Sequence, residues 1–363
     1  MQLSDLRLHP FRGMADAALD GLSRFNLIVG PNNAGKSSVL EAAALLMRPF
    51  DPGQWVQTAR ARDETADLVD SLWSMFPSSN GLHLEDGPVE ASLEITGTID
   101  GRSRSLQAHA TAREVWGRAE EESELDDLEV GEPRDEGPER AEPELTIAVE
   151  LGGQWAHAQH ELRFRRRGKT APKRVDGTWR AYAVTTSTHR STHRLAGLLA
   201  GAVDHGQKAL AVEMMRAFDP GVQSLDLSET RGKPAIRVTH DKRGVVDIAS
   251  FGDGLRRAAA FALALTHASG GLLLIDEVES GIHSRALADA MAKLLASAQK
   301  AGVQILATTH SLEAIDAVVR AAEQTGIDEL TVHHLKRDGA AYRVRRYDGA
   351  RAVMLREGGL DLR

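Results

Sequence analysis

The sequence contains no cysteine. Disulfides, thiolate nucleophiles and cysteine-ligated zinc or iron–sulfur centres are therefore excluded, and the absence fits a reducing cytosol. Aromatic side chains make up only 4% of the chain. A surface that stacks nucleic-acid bases needs them clustered, so no stacking platform is expected, and the core must be built of Leu, Ala, Val and Ile. Long hydrophobic runs are also missing. The longest, around 258–266 and 271–275, fall far short of the roughly 20 residues of a membrane-spanning helix. The opening MQLSDLRLHPFRG lacks the apolar stretch of a signal peptide. No repeat with a period of roughly 20–50 residues is present. These absences lead to the expectation of a soluble, cytoplasmic, globular protein with no membrane partner. Its 363 residues suffice for two domains or one large domain with insertions.

Charge is present but unevenly spread. The net charge is −8, yet residues 119–144 alone hold 13 acids and two arginines, which leaves the rest of the chain faintly basic. That segment is rich in Pro and Gly and poor in large apolar residues, so it cannot bury enough surface to offset its ordering entropy. A disordered acidic loop is expected at about 117–143. A second cluster is cationic: Arg163, Arg165, Arg166, Arg167, Lys169, Lys173 and Arg174. It suits contact with a nonspecific nucleic-acid backbone, or a solvated strand edge protected by charge.

Hydrophobic patterning predicts strands over 2–9 and 24–29, then a helix over 36–47 that Pro49 and Pro52 end. Residues 53–80 read as polar, with a short helix at 66–76. Residues 88–100 alternate as a half-buried strand does. With 104–113, 144–151 and 157–167 they predict an antiparallel sheet. Residues 193–218 read as helical, followed by strands at 222–227, 235–239 and 245–248 and a helix over 254–268. Strands at 272–276, 303–309 and 329–335 alternate with helices at 284–300 and 312–324. Strands this apolar, alternating with helices, predict a parallel sheet covered on both faces.

Four segments carry chemistry. The run Gly30-Pro31-Asn32-Asn33-Ala34-Gly35-Lys36-Ser37 matches GxxxxGK(S/T), with a buried strand before it and a helix after it. Its amides and the helix N-terminus offer positive partial charge to phosphates. Lys36 can reach the β- and γ-phosphates, Ser37 can ligate Mg²⁺, and Ser38 completes the cradle. Far downstream, the apolar run 272–275 ends in Asp276 and Glu277. Asp276 suits Mg²⁺, and Glu277 suits a base that orients and deprotonates the attacking water. The pair favours ATP hydrolysis over a plain nucleotide switch. A third apolar strand ends in Thr309, His310 and Ser311, where His310 can sense a γ-phosphate. A Gly-rich turn, Ser250-Phe251-Gly252-Asp253-Gly254, opens a helix and suits an anion.

In this order, the four segments resemble ABC-type ATPases. The long interval between P-loop and Gly-rich signature is similar to the SMC/RecF/OLD branch. Phe11-Arg12 precedes the P-loop as in RecF- and SMC-like heads. FGDGLRR stands where LSGGQ is usual, and Glu279-Ser280-Gly281-Ile282-His283 resembles the E-N-G-(L/I)-H loop of bacterial OLD-like ATPases of phage-defence operons. The resemblance implies an α/β P-loop fold: an ABC-type ATPase head with a parallel-sheet core, an antiparallel β subdomain and a helical signature lobe. The core would span 1–50 and 178–350, and 51–177 would hold the antiparallel region. ATP and Mg²⁺ are the implied cofactors. Arg12 and the signature residues Ser250, Gly252, Asp253 and Gly254 join the P-loop as implied nucleotide contacts. The signature would act across a homodimer or higher oligomer that sandwiches ATP. Gln154 and Gln159 are candidates for the family's loop glutamine. The 53 residues after His310 are too few for a Toprim nuclease, so a separate nuclease- or toxin-like effector in anti-phage defence is expected. A RecF-like DNA repair or replication ATPase is the alternative.

Overall fold

The computed structural model describes all residues except 64, 78–81, 85–86, 119–138, 155–156, 166–178, 217, 231, 340, 360, 362 and 363. The chain begins with β1 (Leu3–His9), β2 (Ala17–Asp20), β3 (Phe25–Val29), α1 (Lys36–Met47), α2 (Pro52–Arg60) and α3 (Leu68–Trp73). Four further strands follow: β4 (Val89–Ile99), β5 (Arg102–Arg118), β6 (Glu139–Gly153) and β7 (Ala158–Arg165). After β8 (Ala181–Val184) come α4 (Thr192–Asp204), α5 (Lys208–Arg216), β9 (Val222–Thr230), β10 (Lys233–His240), β11 (Gly244–Asp247) and α6 (Asp253–His267). Strand and helix then alternate through β12 (Leu272–Ile275), α7 (Ser284–Lys300), β13 (Gln304–Thr309), α8 (Leu312–Thr325) and β14 (Leu330–Asp338), before β15 (Ala341–Asp348) and α9 (Gly349–Glu357).

These elements form two large sheets and one small one. The central sheet has the order β15-β14-β3-β13-β12-β8, and every neighbouring pair in it is parallel except β14–β15. Every residue of β3, β12 and β13 is buried, as expected of parallel strands covered on both faces. The second sheet, β2-β1-β4-β5-β6-β7, is antiparallel throughout. The third, β11-β10-β9, accompanies α4–α6.

Alternation along the central strands divides the core in two. Leu27, Leu273 and Ile305 pack on the side of α4–α8, while Ile28, Leu274 and Leu306 pack with α1 and the antiparallel sheet. Helix α1 lies in this second layer, and all its residues but Ser37 are buried. A helix apolar on every side belongs between two layers, which is why its sequence shows almost no amphipathic stripe.

Gln304 ties the two layers at the start of β13. Its buried amide accepts from the Leu3 N–H at 2.8 Å and donates to the Leu3 and Ser23 carbonyls at 2.7 and 2.8 Å.

Several elements differ from the sequence expectation. Pro52 does not merely stop a helix; it starts α2, where its missing N–H is harmless. Asp51 caps that helix by accepting from Gly53 N at 2.8 Å, and fully buried Trp55 anchors it. β2, β8, β15 and α9 were not expected. β8 and β2 have only four residues each, too few to show a period. β1 and β2 join the antiparallel sheet. Of the acidic loop expected at 117–143, residues 117–118 and 139–143 are strand instead, because the β5–β6 ladder continues to the pair Arg118–Glu139. At 144, a residue of the same acidic run is neutralised across strands: buried Glu144 accepts from Arg113 at 3.0 Å and from Arg165 at 2.7 Å. Residues 119–138 lie outside the described residues. No helix among the described residues is long and apolar enough to cross a membrane.

Gln304→Leu keeps the volume but leaves one N–H and two carbonyls without their partner. We expect a loss of about 2–4 kcal/mol in urea unfolding with an unchanged m value; a loss under about 0.5 kcal/mol would show that the amide does not join the layers.

Candidate nucleotide site

The site lies at the C-terminal ends of the central parallel strands, where open α/β sheets bind ligands. β3 delivers the P-loop there. The loop's bends need conformations that few residues tolerate. Gly30 has φ +150°, and a Cβ on it would stand 2.2 Å from the Leu335 carbonyl oxygen of the neighbouring strand. Asn33 adopts φ +63° and Gly35 φ +91°. Gly35 caps α1, and a Cβ on it would stand 2.7 Å from Met14 Sδ.

Lys36 folds over the loop and donates to the carbonyls of Gly30 and Pro31 at 2.8 and 2.9 Å. Burial lowers its ammonium below the ordinary lysine value, while Asp276, Glu277 and Glu279 favour the charged form. Ser37, on the first turn of α1, donates to the two carboxylate oxygens of Asp276 at 3.0 and 3.1 Å. The P-loop and the acidic strand therefore meet, although 239 residues separate them.

β13 lies between β3 and β12, and its end organises the acids. Thr308 donates to Asp276 Oδ1 at 2.6 Å, and its oxygen accepts from the Glu277 N–H at 2.9 Å. Glu277 has φ +46°, which is uncommon for a side chain of this size and marks a constrained turn. His310 Nδ1 stands 3.5 Å from Glu277 and 3.7 Å from Glu279. Thr309 donates to Glu279 at 2.7 Å. Glu277 and His310 are both half-exposed, open to a bound ligand.

The structure thus brings Gly30–Ser38, Asp276, Glu277 and His310 together. Arg12 has other partners. It is a buried ion-pair partner of Glu41 at 2.5 Å and donates to Thr58 O at 2.8 Å and to Ser74 at 3.2 Å. Here its charge answers a buried carboxylate on α1. Burial pushes the Glu41 carboxyl up, against the pull of Arg12 and Arg62. Arg62 also donates to Ser38 Oγ at 2.8 Å.

Ser250, Gly252, Asp253 and Gly254 sit at the start of α6, with Gly252 as its cap. Asp253 accepts from Arg190 at 3.2 Å and stands 3.6 Å from His189, and a Cβ on Gly254 would approach Gly281 O at 3.5 Å. Their contacts run to these residues rather than to the P-loop of the same chain.

Gln154 and Gln159 are exposed on the antiparallel sheet. A cavity of about 340 Å³ beside Ser37, Asp276 and Glu277 is lined instead by Gln54, Gln57, Thr185 and Thr186. Arg163 and Arg165 of the basic cluster are engaged by Glu161 and Glu144 at 2.6 and 2.7 Å; its other members lie outside the described residues.

Sequence reasoning also missed Glu41 and Thr308, and it held Arg257 only as part of FGDGLRR, with no role of its own. Only the polar end of the 303–309 strand hinted at Thr308. Two buried charges inside apolar helices, Glu41 and Arg257, are the signal that pattern reading passes over.

This fold and site define a P-loop ATPase head of the ABC type. The same fold occurs in the crystal structure of an SmcHead bound to the C-winged helix domain of ScpA, with 13% identity, a TM-score of 0.53 and coverage of 96% of this chain and 98% of that one. An Smc head from Pyrococcus furiosus with an extended coiled coil, bound to the C-terminal domain of ScpA, gives 10% identity, a TM-score of 0.51 and coverage of 98% of both chains. The chain belongs to the family described as "AAA domain, putative AbiEii toxin, Type IV TA system", whose model matches residues 25–316. It is also similar to the DNA replication and repair protein RecF of Rhizobium meliloti (strain 1021), 32% identical over 110 residues, which are 30% of this chain and 28% of that protein. An uncharacterized protein of Methanocaldococcus jannaschii, MJECL11, is 35% identical over 88 residues, 24% of this chain and 76% of that protein. The chain thus spans little more than a quarter of that RecF protein's length.

Thr308→Val preserves shape but removes both bonds that fix Asp276 and the Glu277 amide. Stability should fall by about 1–3 kcal/mol, read by thermal or urea unfolding. A fully stable variant would mean that the strand-end hydroxyl is dispensable.

Proposed function

We propose that the chain binds ATP with Mg²⁺ at this site and hydrolyses it, and that two copies close around the nucleotide to control a separate effector. The observation that carries the reading is the convergence of Ser37, Asp276, Glu277 and His310 beside the P-loop. Ser37 Oγ and the Asp276 carboxylate form a hard oxygen donor pair, the kind that Mg²⁺ prefers. Bound there with the nucleotide, the ion would offset charge on the β- and γ-phosphates.

The chain's own residues do the rest. P-loop amides and Lys36 hold the phosphates, with Lys36 exchanging its carbonyl partners for phosphate oxygens. Glu277 orients a water and takes its proton. His310, beside Glu277 and Glu279, lies where it can report on the γ-phosphate. The signature residues at the start of α6 would serve the P-loop of a second copy. The departure of Ser250–Gly254 from the usual LSGGQ and the long insertion before it speak against a transporter ATPase.

A role in anti-phage defence, with a nuclease- or toxin-like effector acting in trans, is supported by the family's description as a putative toxin and by the resemblance of Glu279–His283 to the OLD-like loop. A second reading, a RecF-like ATPase that acts directly on DNA, is favoured by the 110-residue similarity to RecF. Double-stranded DNA that binds the purified chain and raises its ATPase rate, with no partner present, would favour the second reading.

Glu277→Gln should lower turnover by about 10²–10⁴-fold while a fluorescent ATP analogue still binds; turnover at the wild-type rate would remove Glu277 from the chemistry. With ATP, this variant should form dimers or larger assemblies in light scattering. Adding Asp253→Arg should keep it monomeric, because the substitution places bulk and charge at the shared surface. A protein that stays monomeric with ATP yet turns over fully would overturn the two-copy arrangement.

A further inference from the structure

Arg257 is a fully buried cation that the proposed chemistry does not use. It lies on α6, four residues after Asp253, and is 0% exposed. Among the described residues it forms no ion pair. Its guanidinium instead donates to three backbone carbonyls: Thr185 O at the end of β8, Asp276 O at 2.8 Å and Glu277 O at 3.1 Å. The ring of Phe261, one turn further along the helix, lies 4.9 Å below it. A rigid fork of donors can span several acceptors at once, which an ammonium on a flexible stem does less well.

Two features give this arrangement a consequence for Glu277. The residue's left-handed backbone (φ +46°) follows the end of β12 and opens a turn in which the Ser280 N–H donates to the Glu277 carbonyl at 2.9 Å. Side chains from two other elements also hold it: Thr308 accepts from its N–H at 2.9 Å, and Arg257 donates to its carbonyl at 3.1 Å. Arg257 is therefore the covalent extension of the signature helix that touches the acidic turn. Fully buried His189 lies beside Asp253 at 3.6 Å, so the start of α6 is packed tightly on the same region.

We propose that Arg257 is a positioning residue, which sets the direction of the Glu277 carboxylate by holding the 276–277 carbonyls from the signature helix. Hydrolysis then depends on where α6 stands, so a second copy that moves the signature also moves Glu277. The proposal rests on the reading of Glu277 as the group that acts on water.

The test measures steady-state ATPase and binding of a fluorescent ATP analogue in wild type, Arg257→Met, Arg257→Lys, Glu277→Gln and the Arg257→Met/Glu277→Gln double variant. Arg257→Met should lower kcat about tenfold or more, with KM and analogue Kd changed less than about threefold. In the Glu277→Gln background it should change the residual rate less than about twofold, because residues acting through one group are not additive. Arg257→Lys keeps the charge and should recover part of kcat. If the methionine variant fails to fold, the lysine variant is read by the same split between kcat and analogue Kd. Wild-type kcat in Arg257→Met, losses that multiply with those of Glu277→Gln, or a parallel loss of nucleotide binding would each overturn the proposal. Equal rates in wild type and Glu277→Gln would instead overturn the hydrolysis reading, and the proposal would fall with it.

Discussion

The hydrogen bonds to the Asp276 carboxylate hold the site's parts in register. Ser37 reaches it from the P-loop helix and Thr308 from the strand between. Three separate pieces of chain, distant in sequence, are positioned by one acid at the end of a fully buried strand. The parallel sheet makes this possible. It places the ends of β3, β13 and β12 side by side, and strands about 4.8 Å apart bring short side chains within hydrogen-bonding reach. Everything beyond those ends, including the turn at Glu277 and the placement of His310, is built on that register.

Around this point the protein buries several charges, and each has a physical answer. Isolated charges are costly in an apolar interior, so they must be paired or hydrogen-bonded. Glu41 on α1 is met by Arg12 and Arg62. Arg257 is met by three backbone carbonyls and the Phe261 ring, and burial pushes its guanidinium down to about 10. The first group ties the P-loop helix to the segment that follows it. The second ties the signature helix to the acidic turn. The P-loop helix and the signature helix are therefore each tied to neighbouring elements through polar contacts.

The family assignment and the geometry meet at one level. Membership of the AAA domain family and the fold shared with Smc heads define a P-loop ATPase. The defence role draws on the family's description and on a five-residue loop, and the DNA role on a local similarity to RecF. These two readings differ in what the heads act upon, and both use the same nucleotide chemistry.

Much of this was legible in the sequence. The P-loop, the Asp276–Glu277 strand end and the His310 strand end are local signals, because each needs only an apolar strand and the residues that follow it. The parallel core and the helix over 36–47 followed from apolar runs long enough to show a period. What the sequence alone did not disclose depends on partners far away in the chain. Arg12 pairs with Glu41 because α1 carries an acid facing it. Residues at the base of the acidic run join a strand because Glu144 is flanked by arginines from both neighbouring strands. The candidates Gln154 and Gln159 sit on the other sheet, and Arg257 touches the acidic turn only because α6 packs across the end of β8. Local patterns fixed the elements and the chemistry of their ends; packing decided which ends meet, because ion pairs and hydrogen bonds depend on distances that only the folded chain sets.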